Sequence, residues 1–276
     1  MWADTDVVAP NEIHAWWDAI ESSWSRFIAS SDLNLVNAKA GDWVEVPAHF
    51  AAAVRHAKQL RDLTDGIFDP TVSVSSWGYD RDFSQIGNTP KREAQQVWQP
   101  ATIDVEDNMV RVSKNGALDL GGIGKGLVAD MTCDLLTTRG ATRIVVDIGG
   151  DVALRGDWAI DASCENGDPW ARWSISGGGV ATSSTTQRAW QTASGTNAHH
   201  LIDPRTSAPS SSCYTTVSAH ASSAAAAEVA AKIALITGDL SAATKVGAVA
   251  VGRFHNSLCD IPAHARAWVA PIMVLA

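Results

Sequence analysis

The chain has 276 residues, of which 46% are hydrophobic and 18% charged. That is the balance of a globular protein long enough to bury one large core or two closely packed lobes. The formal net charge of −9 argues against nucleic acid as the main partner, because a phosphate backbone is met by a basic face.

Ile13, Trp16, Trp17, Ile20, Trp24 and Phe27 recur at steps of three and four, which predicts a helix from Asn11 to Ile28. Pro47 opens a second helix through about Leu63, and Asp65-Gly66 ends it. Gly78-Tyr79-Asp80 and Gly87-Asn88-Thr89-Pro90 mark loops, with a short helix expected from Lys91 to Val97. Thr102–Val105 and Met109–Val112 read as a hairpin turning at Asp107-Asn108. A glycine-rich turn, Gly121 to Gly126, leads into a helix ending near Arg139-Gly140. The β-branched run Arg143–Ile148 is a strand that meets Gly149-Gly150. Short strands are expected around Val152–Leu154, Trp158–Asp161 and Trp173–Ser176, followed by a second glycine cluster at 177–179. Ser207 to Ser212 reads as a loop, Tyr214–Ala219 as a strand, and Ser222 to Thr237 as an alanine-rich helix closed by Gly238. Strands and helices mix without strict βαβ alternation, so the expected class is α+β. With no internal repeat and no clean linker, residues 1–276 are expected to form a single domain.

Cys133, Cys164, Cys213 and Cys259 are widely spaced and form no C-x-x-C pair. Buried thiols fit better than a zinc or redox site, with a disulfide left open. Met1–Asp6 lacks the apolar core of a secretory signal, and the apolar run 267–276 is too short to span a bilayer and contains Pro271. No membrane span is expected, and the location is read as cytoplasmic unless a leader has been removed. Most of the tryptophans are expected in packing, with a few able to stack on a flat ligand.

The segment Asp119-Leu-Gly-Gly-Ile-Gly-Lys-Gly126 fails as a P-loop, because Asp119 replaces the first Gly and Gly126 the Ser or Thr. It fails as a dinucleotide fingerprint at Leu127. What remains is a glycine-rich helix entry whose free N–H groups favour an anion, or a tight helix entry with no ligand. In His199-His200, adjacent histidines make poor joint metal ligands. Either can be structural, or one can serve as a base near neutral pH. Thr64-Asp65-Gly66 and Phe68-Asp69-Pro70 suit plain turns.

Taken together, these segments resemble the FAD:protein FMN transferases, the ApbE family. Ser25-Arg26-Phe27 with Ser31, Asp32, Leu33 and Asn37 looks like the family's first block, and Thr64–Pro70 like its T-D-G-x-F-D-P block. Asp119–Asp130 resembles D-L-G-G-I-A-K-G-x-x-x-D, and Val146–Asp151, Ala181-Thr182-Ser183 and His199–Thr206 complete the order. The resemblance implies an α+β, two-lobed fold with mixed sheets, flanking helices and an FAD cleft between the lobes. It also implies cleavage of the FAD pyrophosphate, with FMN passing to a Thr or Ser hydroxyl of an acceptor flavoprotein and AMP leaving. By carry-over, His200 would activate the acceptor hydroxyl and Asp203 would orient or assist it. Asn37, Asp65, Gly66, Asp119, Gly122, Lys125, Thr182, Ser183 and His200 would bind FAD, with Lys125 and the glycine turn facing the phosphates.

The family's late helix carries A-D-x-x-A-T, whose Asp and Thr help bind Mg²⁺; here those positions are Glu228 and Lys232. Gly124 stands where Ala is usual and would offer a backbone carbonyl to the metal. Glu228 and Lys232 are spaced for an i, i+4 ion pair. Two readings stand open, a simple pair or an ammonium in the place of a metal. Leu127 replaces the family's Tyr, so Trp43 or Trp77 is expected to stack on the flavin. The competing functions are an FAD pyrophosphatase giving free FMN and AMP, and a non-catalytic FAD-binding protein.

Overall fold

The computed structural model describes residues 1–5, 8–72, 74–77, 99–163, 169–193 and 195–254. The loops and short helix read between 78 and 97, Cys164, Cys259 and the apolar run 267–276 lie outside them. In chain order the elements are β1 (Trp2–Ala3), α1 (Pro10–Trp24), α2 (Asp32–Ala38), β2 (Val44–Glu45), α3 (Ala48–Leu63), β3 (Ile103–Glu106) and β4 (Met109–Val112). There follow α4 (Gly124–Thr138), β5 (Ile144–Ile148), β6 (Asp151–Ser163), β7 (Pro169–Ser184), β8 (Ala189–Gln191) and β9 (Asn197–His199). The last are β10 (Ile202–Asp203), β11 (Ala208–Pro209), β12 (Tyr214–Ala221), α5 (Ala224–Thr237) and β13 (Val249–Phe254). The chain divides into two compact units: Met1–His14 with Lys125–Ser184 and Ser211–Ala276, and Ala15–Gly124 with Thr185–Ser210.

The first unit is built on a six-stranded sheet in the order β1-β5-β6-β7-β12-β13, antiparallel at every pairing. Val152, Leu154, Trp173 and Val180 form a buried cluster on it. One expectation changes here. The short strands read at 152–154, 158–161 and 173–176 are parts of two long strands, β6 and β7. The glycine cluster at 177–179 lies inside β7. Gly156, Gly177 and Gly178 take positive φ values of 81°, 98° and 86°, and the β6–β7 register shifts between Leu154 and Asp157. A bulge bends the ladder without ending it.

Helix α5 is apolar on nearly every side, and all its residues except Lys232 and Thr237 are buried, as expected of a helix enclosed by its own domain. Its entry depends on two glycines. A Cβ at Gly179 would lie 2.2 Å from the Ala224 nitrogen, and one at Gly126 would lie 2.7 Å from the Ala224 carbonyl. Only residues without side chains let β7 and α4 approach the first turn of α5 so closely. The Ser223 hydroxyl caps that turn by accepting from Ala226 N–H at 3.2 Å. Gly238 closes the helix in the left-handed region at φ 69°, as the sequence predicted.

The second unit packs α2 and α3 with the three-stranded sheet β2-β4-β3. Phe50, Val54 and Ala57 from α3 are buried with Leu33 and Val36 from α2 and Val110 and Val112 from β4. The β3–β4 hairpin turns at Asp107, whose φ is 48°, and α3 runs to Leu63 before Asp65 and Gly66 turn at φ 51° and 74°. The loop read from 207 to 212 begins with a two-residue strand, β11, paired with β10. No helix among the described residues is long and apolar enough to cross a membrane.

Candidate functional site

In the first unit, four charged side chains meet. Lys125 is the second residue of α4, Asp151 opens β6, and Glu228 and Lys232 are successive turns of α5. The Lys125 ammonium donates to Asp151 Oδ2 and lies 3.3 Å from Glu228 Oε1. Lys232 Nζ is 3.9 Å from the same Oε1, and Glu228 Oε2 accepts from the Gly126 N–H at 3.0 Å. The carboxylates are the deepest members, their side chains 2% and 5% exposed against 31% for Lys125. A carboxylate on a buried helix must be paired and hydrogen-bonded to remain there, and both oxygens of Glu228 are.

The electrostatics follow. Burial opposes the charge on Lys125, but the Glu228 and Asp151 carboxylates outweigh it and hold the ammonium above its ordinary value. Burial also disfavours the Glu228 carboxylate, yet Lys125, Lys232 and the Gly126 amide keep it below the usual range. Burial and repulsion from Glu228 push Asp151 up to about 7, against the pull of Lys125.

One more carboxylate supports this group. Asp130, on α4, accepts from Ala224 N–H at 2.8 Å and Ala225 N–H at 2.9 Å. It satisfies two amides at the start of α5 that have no partner within the helix, and so fixes the helix that carries Glu228. Burial raises its carboxyl to about 6 even so. Sequence reasoning gave neither Asp130 nor Asp151 a role, although both lie within the quoted blocks. Thr182 and Ser183 lie on β7 opposite Ser218 and Val217 of β12. Cys133 is a buried thiol, pushed up to about 11 by its surroundings.

In the second unit, the motif residues shape loops. The Asn37 side chain clamps the backbone of Leu118, its amide donating to Leu118 O at 2.9 Å and accepting from Leu118 N–H at 2.7 Å. The next residue, Asp119, pairs with Arg26 and accepts from Gly121 N–H at 2.8 Å. Its own N–H donates to Pro70 O at 2.7 Å. These bonds fix the entry to the turn that contains Gly122 and leads to Gly124, the first residue of α4. Asp69 is buried, with Arg61 Nε 2.9 Å from Oδ2 and the Thr71 N–H and hydroxyl on Oδ1 at 2.8 and 2.7 Å.

The turn at Asp65 and Gly66 lines a cavity of about 560 Å³ together with Arg61, Asp69, Pro204 and Arg205. The structure thus brings the T-D-G and D-P-R segments to one depression. Asp203 is committed to Arg205, whose Nε and Nη2 donate to Oδ1 and Oδ2 at 2.9 and 2.7 Å, the bidentate geometry of a strong pair.

The two histidines divide. His199 Nδ1 accepts from Leu201 N–H at 3.3 Å and Nε2 contacts Ser210 O at 3.0 Å. An acceptor at Nδ1 leaves the proton on Nε2, where it donates to that carbonyl. Burial lowers the His199 pKa, so a neutral ring ties the two sides of the loop. His200 begins the other branch, its backbone N–H donating to Arg188 O at 3.3 Å. Trp77 donates from its indole N–H to Ser207 O at 2.8 Å, while one face of Trp43 carries the Arg111 guanidinium, 4.7 Å from the ring centroid.

The residues at 228 and 232 do not fit a divalent cation. Mg²⁺ takes about six oxygen ligands in a tight octahedron. Lys232 offers none, and no group of three or more acidic, His or Cys side chains suited to a metal exists among the described residues. Glu228 already faces two ammoniums and an amide. A dication about 4 Å from an ammonium would be repelled by about 8 kcal/mol at an effective dielectric of about 20.

Comparison with known proteins agrees with this architecture. The profile described as the ApbE family matches residues 2–248. The chain is 27% identical over 220 residues to the FAD:protein FMN transferase of Haemophilus influenzae, covering 72% of this chain and 63% of that protein. It is 35% identical over 95 residues to the FAD:protein FMN transferase of Klebsiella pneumoniae, covering 33% of this chain and 30% of that one. The chain therefore spans less than two thirds of the length of these curated relatives. Among solved structures, the ApbE protein of Thermotoga maritima superposes with a TM-score of 0.77 at 23% identity, over 96% of this chain and 94% of that one. The apo flavinyl transferase ApbE of Pseudomonas stutzeri does so with a TM-score of 0.73 at 20% identity, over 92% and 85%. At these identities the likeness shows a shared fold.

Proposed function

The chain belongs to the ApbE family, and from that premise we propose that it transfers the FMN half of FAD to a Thr or Ser hydroxyl of an acceptor flavoprotein. The observation that carries the reading is the division of labour in the His199–Thr206 segment. Both ring nitrogens of His199 are engaged, with Ser210 O and Leu201 N–H, which supports the reading of His200 as the base. Its loop also supplies Pro204 and Arg205 to the cavity lined by Asp65 and Gly66.

In the proposed step, the acceptor hydroxyl oxygen forms a bond to the FMN phosphorus. The bond from that phosphorus to the bridging pyrophosphate oxygen breaks, and AMP leaves with its electron pair. The hydroxyl proton passes to His200. Asp203 acts on this step through Arg205, which it holds at the cavity. Asn37 and Asp119 shape the turn through Gly122 whose amides, at the start of α4, suit an anion. Lys125, Thr182 and Ser183 are carried as further FAD-binding residues, as the family motifs imply. Trp77, tied to Ser207, stacks on the flavin. The 276 residues act as one transferase domain, and the setting is cytoplasmic.

Mass spectrometry after mixing the full chain with FAD, MgCl₂ and a flavoprotein domain tests this. An FMN adduct should form on the acceptor, and His200→Ala should slow its formation at least ~100-fold, the scale of a lost general base, with FAD affinity retained. Full rate in that variant overturns the role of His200. Free FMN and AMP appearing at the same rate without an acceptor would make the chain an FAD pyrophosphatase.

A further inference from the structure

We propose that Lys232, with Lys125 beside it, supplies from the chain itself the positive charge that a divalent cation would bring to the FAD pyrophosphate, so that FAD binds without metal. The inference rests on the transfer reading above and sharpens its chemistry. Three observations carry it. Both Glu228 oxygens are already engaged with cations or an amide, since Oε1 faces Lys125 at 3.3 Å and Lys232 at 3.9 Å and Oε2 holds the Gly126 amide at 3.0 Å. The Lys232 side chain is 14% exposed and rises from a helix buried on both sides of it, at Ala231 and Ile233, so its ammonium is positioned rather than sweeping through solvent. The anchor of the arrangement is rigid, because Asp130 and the glycines at 126 and 179 fix the first turn of α5.

An ammonium carries one charge where Mg²⁺ carries two, and it interacts with phosphate as a point charge with several donors. Being covalently attached, it contributes at any metal concentration. Lys125 is the second residue of α4, next to amides that also favour an anion. Two cations and a helix start then face the pyrophosphate, while Asp151 and Glu228 keep both ammoniums charged and in place. A neutral oxygen at position 232 would instead leave Glu228 with one cation fewer and open to a metal.

The test is titration of FAD into the full chain, followed by flavin fluorescence, in EDTA and in MgCl₂, with MgCl₂ alone titrated by calorimetry. The two FAD affinities should agree within about threefold, and MgCl₂ alone should give no saturable heat. Lys232→Met, which keeps the stem, should weaken FAD by about tenfold in either buffer, the scale of one lost charge-assisted contact. Lys232→Thr should be weak in EDTA and recover in MgCl₂, with saturable heat from MgCl₂ itself. Thermal melts of both variants establish that they are folded. FAD binding by the unaltered chain that disappears in EDTA and returns with MgCl₂ overturns the inference while leaving the transfer reading intact. So does unchanged affinity in Lys232→Met. Absence of FAD binding in every buffer overturns both.

Discussion

The two compact units use charge in opposite ways. In the first, Lys125, Asp151, Glu228 and Lys232 gather around one buried carboxylate on an apolar helix. In the second, the pairs Arg26–Asp119, Arg61–Asp69 and Asp203–Arg205 are spread over separate loops, each fixing a stretch of backbone. The gathered charges form a cluster whose sign and number can change what binds there. The dispersed pairs hold turns in shape. A change of one residue, Lys at 232, therefore alters the charge of a shared cluster, whereas losing one pair in the second unit alters a single contact.

The largest expected effect tests whether α5 is positioned by backbone contact. Gly179→Ala would place a Cβ 2.2 Å from the Ala224 nitrogen, and overpacking against backbone that cannot swing aside should cost about 3 kcal/mol. Denaturant unfolding reads it directly, and a loss below about 1 kcal/mol would mean that α5 sits less tightly than described. The counterpart in the second unit is Asn37→Ala, which removes both bonds to Leu118. It should cost about 2 kcal/mol and loosen the turn through Gly122, visible as faster amide exchange from Asp119 to Gly124. A smaller effect of opposite sign is expected for Gly124→Ala. There the only near atom is Trp24 Cε3 at 4.0 Å, and helix propensity should add about 0.5 kcal/mol of stability.

The smallest effect is a difference in pH response. Asp130 and Asp151 in the first unit are raised to about 6 and about 7. A carboxyl raised above its unfolded value of 3.8 contributes stability at low pH that is lost as pH rises through the folded value. Acidification from about pH 7.5 to 5.5 therefore restores some stability to the first unit. In the second, burial lowers His49, His56 and His199 from 6.5. Their contribution is present above that value and is lost as pH falls below it. The raised Asp69 opposes this loss in part. Opening free energies from hydrogen exchange should rise for α5 relative to α3 across that interval, and a fall would break the contrast.

The sequence made legible what local rules decide. Helix α3 with its Asp65-Gly66 exit, the turn at Asp107 and the closing Gly238 follow from steric rules about single residues. Helix α2 escaped because its seven residues bury only Leu33 and Val36, too few to show a period. The long strands β6 and β7 were broken up because bulge glycines resemble loop glycines until the partner strand is present. The family order pointed to His200 and Lys125 and gave no role to Asp151 or Asp130. Their roles depend on the apposition of α4, β6 and α5, which neighbouring sequence does not contain. Asn37 and Asp119 were expected to touch the ligand, and the bonds they make are to backbone and to Arg26.

The claim on which the account depends is that this chain grips a flavin dinucleotide. Equilibrium titration of FAD against FMN and AMP, with the full chain as receptor, tests it most directly. FAD should bind saturably at one site, more tightly than either half. Equal affinity for FMN alone, or no saturable binding of FAD with or without divalent ions, would contradict it.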